Sequence, residues 1–349
     1  MSRQVRHARL AGHRARPNHI YPSSIQNPPS IPTLHVAYLL SFALGSSVLV
    51  DWHNYGWSIL ATTRGARHPF VSLYFIYEQF FGRACATSHL TVTDAMAGQL
   101  RELGMTGTIL TLHDRPPAHF QPIQSVAQRR ETLARLKPTS PYADAIMQGT
   151  MRLVVSSTSW TPDEDFKLLV DGLVLYASHY EKLHARYETL PGYVPSLLVV
   201  VTGRGPQKKM YEAMVRDLAL EGRLAGINLL TAWLSTKDYA DLLACADIGL
   251  CLHTSSSGVD LPMKVVDMFG AGIPVLAYSD YESFAELVKE GINGQGFTTY
   301  MELGRCLVHL MSANAKNELA SLKAGAIKEG SRRWDEEWDQ VVAPELLAI

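Results

Sequence analysis

The chain has 349 residues, of which 47% are hydrophobic and 19% are charged, and its formal net charge is −1. These values are typical of a globular protein with one large or two ordinary domains, and the near-zero charge excludes non-specific capture of nucleic acid. The four cysteines, Cys85, Cys245, Cys251 and Cys306, have no paired spacing. This argues against a zinc site and a disulfide framework and favours a reducing compartment.

The first 24 residues are predicted to form a disordered leader. Residues 1–20 contain five arginines, and the first acidic residue of the chain is Asp51. An arginine-rich start without acids is typical of a transit peptide, but Pro17 and Pro22 interrupt the stretch and it has no amphipathic period. We therefore prefer the leader over the transit peptide.

Residues 31–50 form an apolar stretch about as long as a bilayer is thick. Gly45 and the serines after it interrupt the stretch, which then continues directly into Asp51. We predict a helix to about Leu44, a turn at Gly45 and a buried strand over residues 47–51. A spanning helix and shallow contact with a membrane surface are the alternatives.

Short apolar runs alternate with helical patterns along the whole chain, which predicts an α/β fold with parallel sheets. A partial N-terminal domain is assigned to residues 25–122 and a linker or insertion to residues 123–150. A C-terminal domain over residues 151–330 and a final helix over 331–349, crossing back to the first domain, complete the chain. The predicted strands lie at 47–51, 88–93, 107–111, 151–157, 197–201, 227–230, 247–252 and 274–278, with helices that include Pro69–Phe81, 262–271 and 282–289.

Two acidic motifs need interpretation. Thr161-Pro162-Asp163-Glu164 has the form of a capping box with proline at the first helical position, so a helix is predicted to begin at Pro162. Asp163-Glu164-Asp165 also has the DxD form in which two carboxylates can bind a metal ion. Because acids in a first helical turn complement the helix dipole, we interpret the motif as capping and expect no metal.

The densest set of polar residues follows the predicted strand at 247–252 and runs to Asp267. Hydroxyl groups, a glycine and the free amides of a helix beginning at Pro262 suit an anion. Asp260, Lys264 and Asp267 recur at helical spacing, so we expect them to share one face, with Lys264 on a diphosphate and Asp267 on a ribose diol. A surface helix cap with an ordinary ion pair is the alternative.

Two weaker signals follow the predicted strands at 197–201 and 227–230. Gly203-Arg204-Gly205-Pro206 allows close approach of backbone to a phosphate, although such a turn is common. Trp233 comes directly after a strand and is predicted to wall a nucleobase pocket, with a core tryptophan as the alternative.

Several segments resemble the β-mannosyltransferases of glycosyltransferase family 33. They are Val50–Gly56, Tyr77–Arg83, Ser156–Thr161, Leu252–Val275 and Arg333–Trp338. The resemblance implies the GT-B fold, in which two Rossmann-like domains face a cleft, with the N-terminal one incomplete here. In the two-glutamate motif of retaining GT-B enzymes, Asp267 takes the second position and Val259 the first, a departure that suits an inverting enzyme.

Membership would imply transfer of mannose from GDP-mannose to dolichyl-diphosphate chitobiose with formation of a β1,4 bond, without a cofactor or metal. It also implies a place at the endoplasmic reticulum membrane on its cytoplasmic face, contact with the membrane surface, and other mannosyltransferases of lipid-linked oligosaccharides as partners. The donor-binding residues expected on this basis are Ser157, Ser159, Gly203, Gly205, Trp233, His253, Ser255, Ser256, Ser257, Gly258, Asp260, Lys264 and Asp267.

An inverting reaction requires a base on the acceptor hydroxyl, and the candidates are His53, Asp51 and Glu78. A core histidine is the alternative for His53, and an ion pair with Arg83 is the alternative for Glu78. The family enzymes begin with a membrane helix, a strand and a glycine-rich turn that do not precede Asp51 here. We therefore expect an unpaired apolar edge strand and little transfer by this chain. A non-catalytic GT-B subunit or a transferase with another lipid-linked acceptor are the alternative functions.

Overall fold

The computed structural model describes residues 23–161, 164–184 and 194–347. Two parallel sheets organise this part of the chain, one of four strands and one of six. Of the helices described, none combines the length and the apolar character needed to cross a bilayer. The predicted leader lies outside the described residues, except that Ser23 and Ser24 belong to the first strand and correct its boundary.

The N-terminal sheet has its strands in sequence order, all parallel. Alternate side chains of the second strand face opposite layers: Val48, Val50 and Trp52 pack on helices of one side, and Leu49 faces the other. The elements of this domain are β1 Ser23–Asn27, α1 Thr33–Leu44, β2 Val48–Trp52, α2 Gly56–Arg64, α3 Pro69–Cys85, β3 Ser88–Thr91, α4 Asp94–Glu102 and β4 Thr108–Thr111.

The predicted helix, turn and strand over residues 31–51 are confirmed. Helix α1 ends at Leu44, Gly45 adopts the left-handed conformation that its lack of a Cβ favours, and β2 follows at Val48. The predicted apolar edge is not found at β1, and the opposite edge strand, β4, reads Thr-Ile-Leu-Thr. The edge strand β1 reads Ser-Ser-Ile-Gln-Asn, and its outward positions are polar.

The C-terminal sheet has the strand order β10-β9-β8-β5-β6-β7. Continuous apolar runs form β5 and β6 because both faces of the sheet are covered by helices. Its elements are β5 Met151–Ser157, α7 Phe166–His184, β6 Ser196–Thr202, α8 Lys208–Leu220, β7 Ile227–Ala232, α9 Thr236–Cys245, β8 Ile248–Cys251, α10 Met263–Gly270, β9 Val275–Tyr278, α11 Phe284–Leu287, β10 Gly294–Phe297, α12 Tyr300–Met311 and α13 Lys316–Gly330.

Three predictions for this half need correction. Residues 123–150 are not a linker, because helices α5 Val126–Arg135 and α6 Ala143–Gln148 and the 3₁₀ turn between them pack into the C-terminal core. Strand β10 is absent from the sequence prediction, since its segment Gly-Gln-Gly-Phe has little strand propensity. The predicted helix at 282–289 is only the short α11.

The chain ends on the N-terminal domain. Helices α14 Trp334–Val341 and α15 Ala343–Leu347 follow the last helix of the C-terminal domain. Trp338 and Val342 pack with Leu49, Leu90 and Leu112 on the sheet face that α1 and α3 leave open. The C-terminal helices therefore cover this face of the N-terminal sheet and tie it to the rest of the chain.

Candidate active site

The candidate site lies where the carboxyl-terminal ends of the two sheets face each other. In the C-terminal sheet the strand order reverses between β5 and β8, and open parallel sheets bind ligands at such a switch point. Asn54, just after β2, donates hydrogen bonds across the cleft to Ser256 Oγ (3.1 Å) and Asp260 Oδ2 (3.2 Å). The two domains therefore touch at the site itself.

The loop after β8, residues 253–262, is here called the serine loop. Its buried centre is Asp260, which accepts hydrogen bonds from His253 Nε2 (3.1 Å), from Ser255 Oγ and from Ser257 Oγ (3.4 Å). Burial alone would raise the pKa of Asp260, but the hydrogen bonds and the charge of His253 lower it below its ordinary value. Asp260 therefore remains ionised and fixes the shape of the loop.

This arrangement corrects the predicted shared face of Asp260, Lys264 and Asp267. Helix α10 begins at Met263, so Asp260 precedes it and its carboxylate points into the serine loop. The serine hydroxyls largely bond within the protein, and Gly258 adopts the positive φ (79°) that the turn requires. Only Lys264 and Asp267 lie on the helix itself, one turn apart.

Lys264 is held by a carboxylate that the sequence analysis interpreted as a helix cap. Glu164 is 2% exposed, and its oxygens accept from Thr158 Oγ1 (2.5 Å), from the backbone N–H of Ser159 (2.6 Å) and from Lys264 Nζ. A single β-bridge joins Glu164 to His253. The loops after β5 and β8 are thus clamped together at the switch point.

The predicted helix start at Pro162 is therefore wrong. Pro162 and Asp163 lie outside the described residues, and α7 begins at Phe166. Asp165 is the residue that caps it, accepting from the N–H of Lys167 (3.0 Å). A capping box and a buried ion pair share the same residue types, so the sequence pattern alone does not distinguish them.

Asp267 lies near a second acidic side chain, that of Asp114. Burial, together with the negative charge of Asp114, raises the pKa of Asp267 to about 7. Tyr239, whose own pKa is raised mainly by burial and partly by Asp267, bonds Ser157 through its hydroxyl (2.8 Å). Asp267, Tyr239 and Ser157 thus form a polar cluster beside Lys264 that can accept and donate hydrogen bonds to a sugar diol.

The glycines after β6 meet a packing requirement, and the predicted approach of a phosphate to them stays a prediction. A Cβ on Gly203 would meet the carbonyl oxygen of Thr158 at 1.8 Å, and one on Gly205 would meet that of Ser159 at the same distance. Glycine is required because this loop packs backbone to backbone against the loop that carries Glu164. The intervening Arg204 lies over the exposed ring of Trp233, 4.1 Å from its centroid. Arg204 is absent from the predicted site residues, because a lone arginine in a Gly-x-Gly turn carries no signal of its own.

The opposite wall carries the candidate bases. His53 Nε2 lies 2.9 Å from Asp51 Oδ2, and the backbone N–H of His53 donates to Asn27 O (2.9 Å). Both side chains are partly exposed at the end of β2. The pair has the form of an imidazole oriented by a carboxylate.

Glu78 lies behind this wall. It is fully buried and accepts from Asn27 Nδ2 (2.8 Å), Ser30 Oγ (2.5 Å) and the N–H of Gly56 (3.0 Å), and burial raises its pKa against the effect of these bonds. The alternative ion pair is wrong, because Arg83 donates to Leu103 O instead. Glu78 anchors the start of α2, and the described residues enclose its carboxylate completely.

Comparison with known structures concerns the fold. The HepE protein of Anabaena in complex with UDP superposes with a TM-score of 0.66 at 15% identity, over 94% of this chain and 79% of that one. Sucrose-phosphate synthase from Thermosynechococcus elongatus gives a TM-score of 0.65 at 12% identity, over 90% of this chain and 70% of that one. No protein-family model matches the sequence.

Closer relatives emerge among curated sequences. The chitobiosyldiphosphodolichol beta-mannosyltransferase of Arthroderma benhamiae is 48% identical over 91% of this chain and 69% of its own length. The human protein of that name is 36% identical over 93% of this chain and 72% of its own length, and the Yarrowia lipolytica one is 42% identical over 92% and 65%. This chain thus spans roughly two thirds of these relatives.

The facing sheets, the site at the switch point and the structural neighbours define a protein of the GT-B fold. Within this fold class, the sequence identity to the curated relatives identifies the family. The chain belongs to the chitobiosyldiphosphodolichol beta-mannosyltransferase family.

Proposed function

We propose that this protein transfers mannose from GDP-mannose to dolichyl-diphosphate chitobiose, forming a β1,4 linkage with inversion. The observation that carries the proposal is the position of Lys264. It lies at the start of α10 at the switch point, is clamped by Glu164, and has Asp267 one turn further along the helix. A cation, a helix N-terminus and a diol acceptor in this order suit a nucleoside diphosphate.

The donor would be held at three points. Lys264 and the first amides of α10 neutralise the diphosphate, and Asp267 with Tyr239 accepts the ribose hydroxyls. The base stacks on the indole of Trp233, with Arg204 beside it to donate hydrogen bonds to guanine O6 and N7. This arrangement favours GDP over UDP, because uracil offers a smaller stacking surface and no N7.

The reaction needs one proton transfer on the acceptor side. As the acceptor oxygen forms its bond to the mannose C1, the hydroxyl proton moves to the imidazole of His53, and Asp51 stabilises the imidazolium. The bond from C1 to the diphosphate breaks on the opposite face, and Lys264 stabilises the charge of the departing GDP. Attack from the face opposite the leaving group gives the β product.

The first test is donor binding, measured by calorimetry with GDP, UDP and GMP. We expect GDP to bind at least about tenfold more tightly than either competitor, since each loses contacts of about 1.4 kcal/mol or more. Trp233→Ala should reduce this preference for GDP over UDP, and Tyr300→Ala serves as a control at an exposed aromatic outside the site. Equal affinities for GDP and UDP in the unmodified protein would exclude GDP-mannose as the donor.

The second test is transfer. With a synthetic diphosphate-linked chitobiose, His53→Asn should lower the rate by about 100-fold or more and leave GDP affinity unchanged. His68→Asn is a matched control, because His68 caps α3 away from β2. Digestion of the product by a β-specific mannosidase reports the linkage, and an α-linked product would contradict inversion.

We further propose that the protein works at the cytoplasmic face of the endoplasmic reticulum membrane, alongside other mannosyltransferases that extend the same lipid. The dolichol in the relatives' name supports this location. Protease treatment of sealed microsomes should degrade the endogenous protein without detergent, whereas full protection would place it in the lumen.

A further inference from the structure

A cluster of strongly exposed apolar side chains covers one side of the N-terminal domain. Seven residues of α1 and α3, here called the apolar face, are between 61% and 87% exposed: Leu39, Phe42, Leu44, Phe70, Leu73, Ile76 and Phe80. Elsewhere in the described chain only two large apolar side chains, Val126 and Leu220, reach this exposure. Soluble monomers rarely leave so much contiguous apolar surface open to water.

Helix α1 contributes a ridge of exposed apolar side chains. It has no charged residue, and its buried side chains are Leu34 and Ala37, on one narrow stripe. At about 100° per residue, the exposed positions cover about two thirds of its circumference. A helix that is apolar on all sides is normally buried on all sides, whereas the described residues leave a large part of this helix uncovered.

Helix α3 extends the same surface. Phe70, Leu73, Ile76 and Phe80 recur at helical spacing on its outer side, whereas Glu78 and Gly82 face inward. Edge-to-face ring contacts join the two helices, since the ring centroid of Phe81 lies 6.1 Å from that of Tyr38 in α1 and 5.1 Å from that of Phe80. The apolar face is therefore one continuous surface.

The charged residues close to the apolar face in sequence are mainly basic. Between residues 23 and 77 the only acid is Asp51, which bonds His53 at the cleft. Arg64, the last residue of α2, and Arg67, in the loop that leads to α3, are both exposed and precede Phe70 in the sequence. An apolar surface with a basic and acid-free rim complements an interface with anionic lipid headgroups.

We infer that the apolar face inserts into the headgroup region of a lipid bilayer, with Arg64 and Arg67 against anionic headgroups. Fluid lipid can cover a convex ridge such as α1, whereas a second copy of this chain would bring its like-charged rim alongside the first. The inference deepens the proposed function, because the acceptor proposed there is itself a lipid that the cleft must meet at the bilayer. It assigns a lipid-binding role to residues that contact neither donor nor catalytic base.

The test compares three full-length variants for sedimentation with vesicles of phosphatidylcholine, alone or mixed with phosphatidylserine. Replacing Phe42, Leu44, Phe70 and Phe80 by serine should weaken binding to both vesicle types by about 100-fold or more. Arg64→Gln with Arg67→Gln should weaken binding about tenfold, and only to the anionic vesicles at low salt. Leu220→Ser is the matched control, since Leu220 is equally exposed on α8, and it should bind as the unmodified protein does.

Equal GDP affinity shows that each variant is folded, and Phe42→Ser alone, at a side chain 87% exposed, repeats the test without risk to the core. Vesicle binding that survives the fourfold change overturns the inference. So does a dimer in solution that the fourfold change converts to monomer while vesicle binding stays the same, because a second copy would then be the occupant.

The outcome is also separable from that of the proposed function. If the protein binds vesicles through this face but transfers no mannose, the proposed reaction fails and the membrane inference stands. If both hold, the fourfold variant should transfer normally to a short-chain acceptor in solution and poorly to an acceptor embedded in vesicles. Equal loss with both acceptors would contradict a role in lipid access.

Discussion

Asp267 and Asp114 show at the level of single residues how the charges of a candidate binding site can oppose folding. The Asp267 carboxyl is half-buried and near a second acid, and its pKa is raised to about 7 by burial and by Asp114. In the unfolded chain an aspartate titrates near 4, so the folded state keeps its proton over a pH range where the unfolded state has lost it. Stability therefore falls as the pH rises from about 4 to about 7.

We predict that Asp267→Asn raises the free energy of unfolding at pH 8 by about 1–3 kcal/mol, less than a fully buried shift would give because the side chain is partly open. The gain should be nearly absent at pH 4 and should grow up to pH 7. Thermal unfolding across this range measures it, and calorimetry should show weaker GDP binding by the same variant. A gain that is independent of pH would mean that the charge of Asp267 is not its source.

Variants of the ion pair between Glu164 and Lys264 distinguish effects on folding stability from effects on GDP binding. Lys264→Met leaves a buried carboxylate without its cation, and we expect a loss of about 3 kcal/mol in stability together with weakened GDP binding. Adding Glu164→Gln should recover most of the stability but none of the affinity. Denaturant unfolding and calorimetry on the same samples give both values, and a double variant as unstable as the single one would show that the pair does not account for the loss.

Single residues also show which parts of the candidate site could be predicted from the sequence. The position of Lys264 and Asp267 at the cleft could be predicted, because both lie on a helix that follows a buried strand. The position of His53 could be predicted because it directly follows the buried strand β2. Glu164 was misinterpreted, since its partner lies 100 residues away in the chain and Thr-x-x-Glu describes a helix cap equally well. Asp260 was placed on the helix because spacing does not show where a helix begins.

Among the elements, the loops after β5 and β6 form one unit at the floor of the site. Gly205 has the carbonyl of Ser159 directly over it, and Ser159 in turn donates to Glu164. Close approach of two backbones is invisible in a single sequence, where Gly-Arg-Gly-Pro has the form of a simple turn. The strands themselves could be predicted, because continuous apolar runs identify β5 and β6, whereas the glycine-rich β10 carries no such signal.

Gly205→Ala should therefore destabilise the protein by about 2–3 kcal/mol and also weaken GDP binding, since relief of the contact displaces Ser159 and with it Glu164. Gly98→Ala is the matched control. It lies within α4 with open space where a Cβ would be, and should stabilise the protein by about 0.5–1 kcal/mol. Unfolding curves that shift alike for both variants would contradict the backbone contact.

At the scale of the whole molecule, a buried charged cluster joins the two domains to the C-terminal helices. Arg115, after β4, donates to Glu329 of α13 and Glu337 of α14, each at 3.0 Å. His113 beside it bonds Glu286 (3.0 Å), whose oxygens also accept from the first amides of α4. The predicted linker boundary missed this arrangement because it depends on the return of the chain terminus.

Arg115→Leu should lower the free energy of unfolding by about 3–5 kcal/mol, because two largely buried carboxylates lose their shared cation. Arg135→Leu removes a similar pair of contacts, with Asp238 and Asp241, from an exposed surface, and should cost less than about 1 kcal/mol. Denaturant titration compares the two directly. Similar losses would show that burial does not set the strength of the Arg115 cluster.

The hydrogen bonds of Asn54 make the two halves of the cleft thermodynamically dependent on each other. Asn54 is fixed to the start of α2 through Tyr55 and Ser58, and it reaches Asp260, the centre of the serine loop. A donor that shifts this loop changes the wall on which the acceptor rests, and by reciprocity each substrate then changes the other's affinity by the same factor. Asn54→Ala should abolish this cooperativity, so that the apparent affinity for donor no longer depends on how much acceptor is present, and the order in which the two substrates arrive ceases to matter.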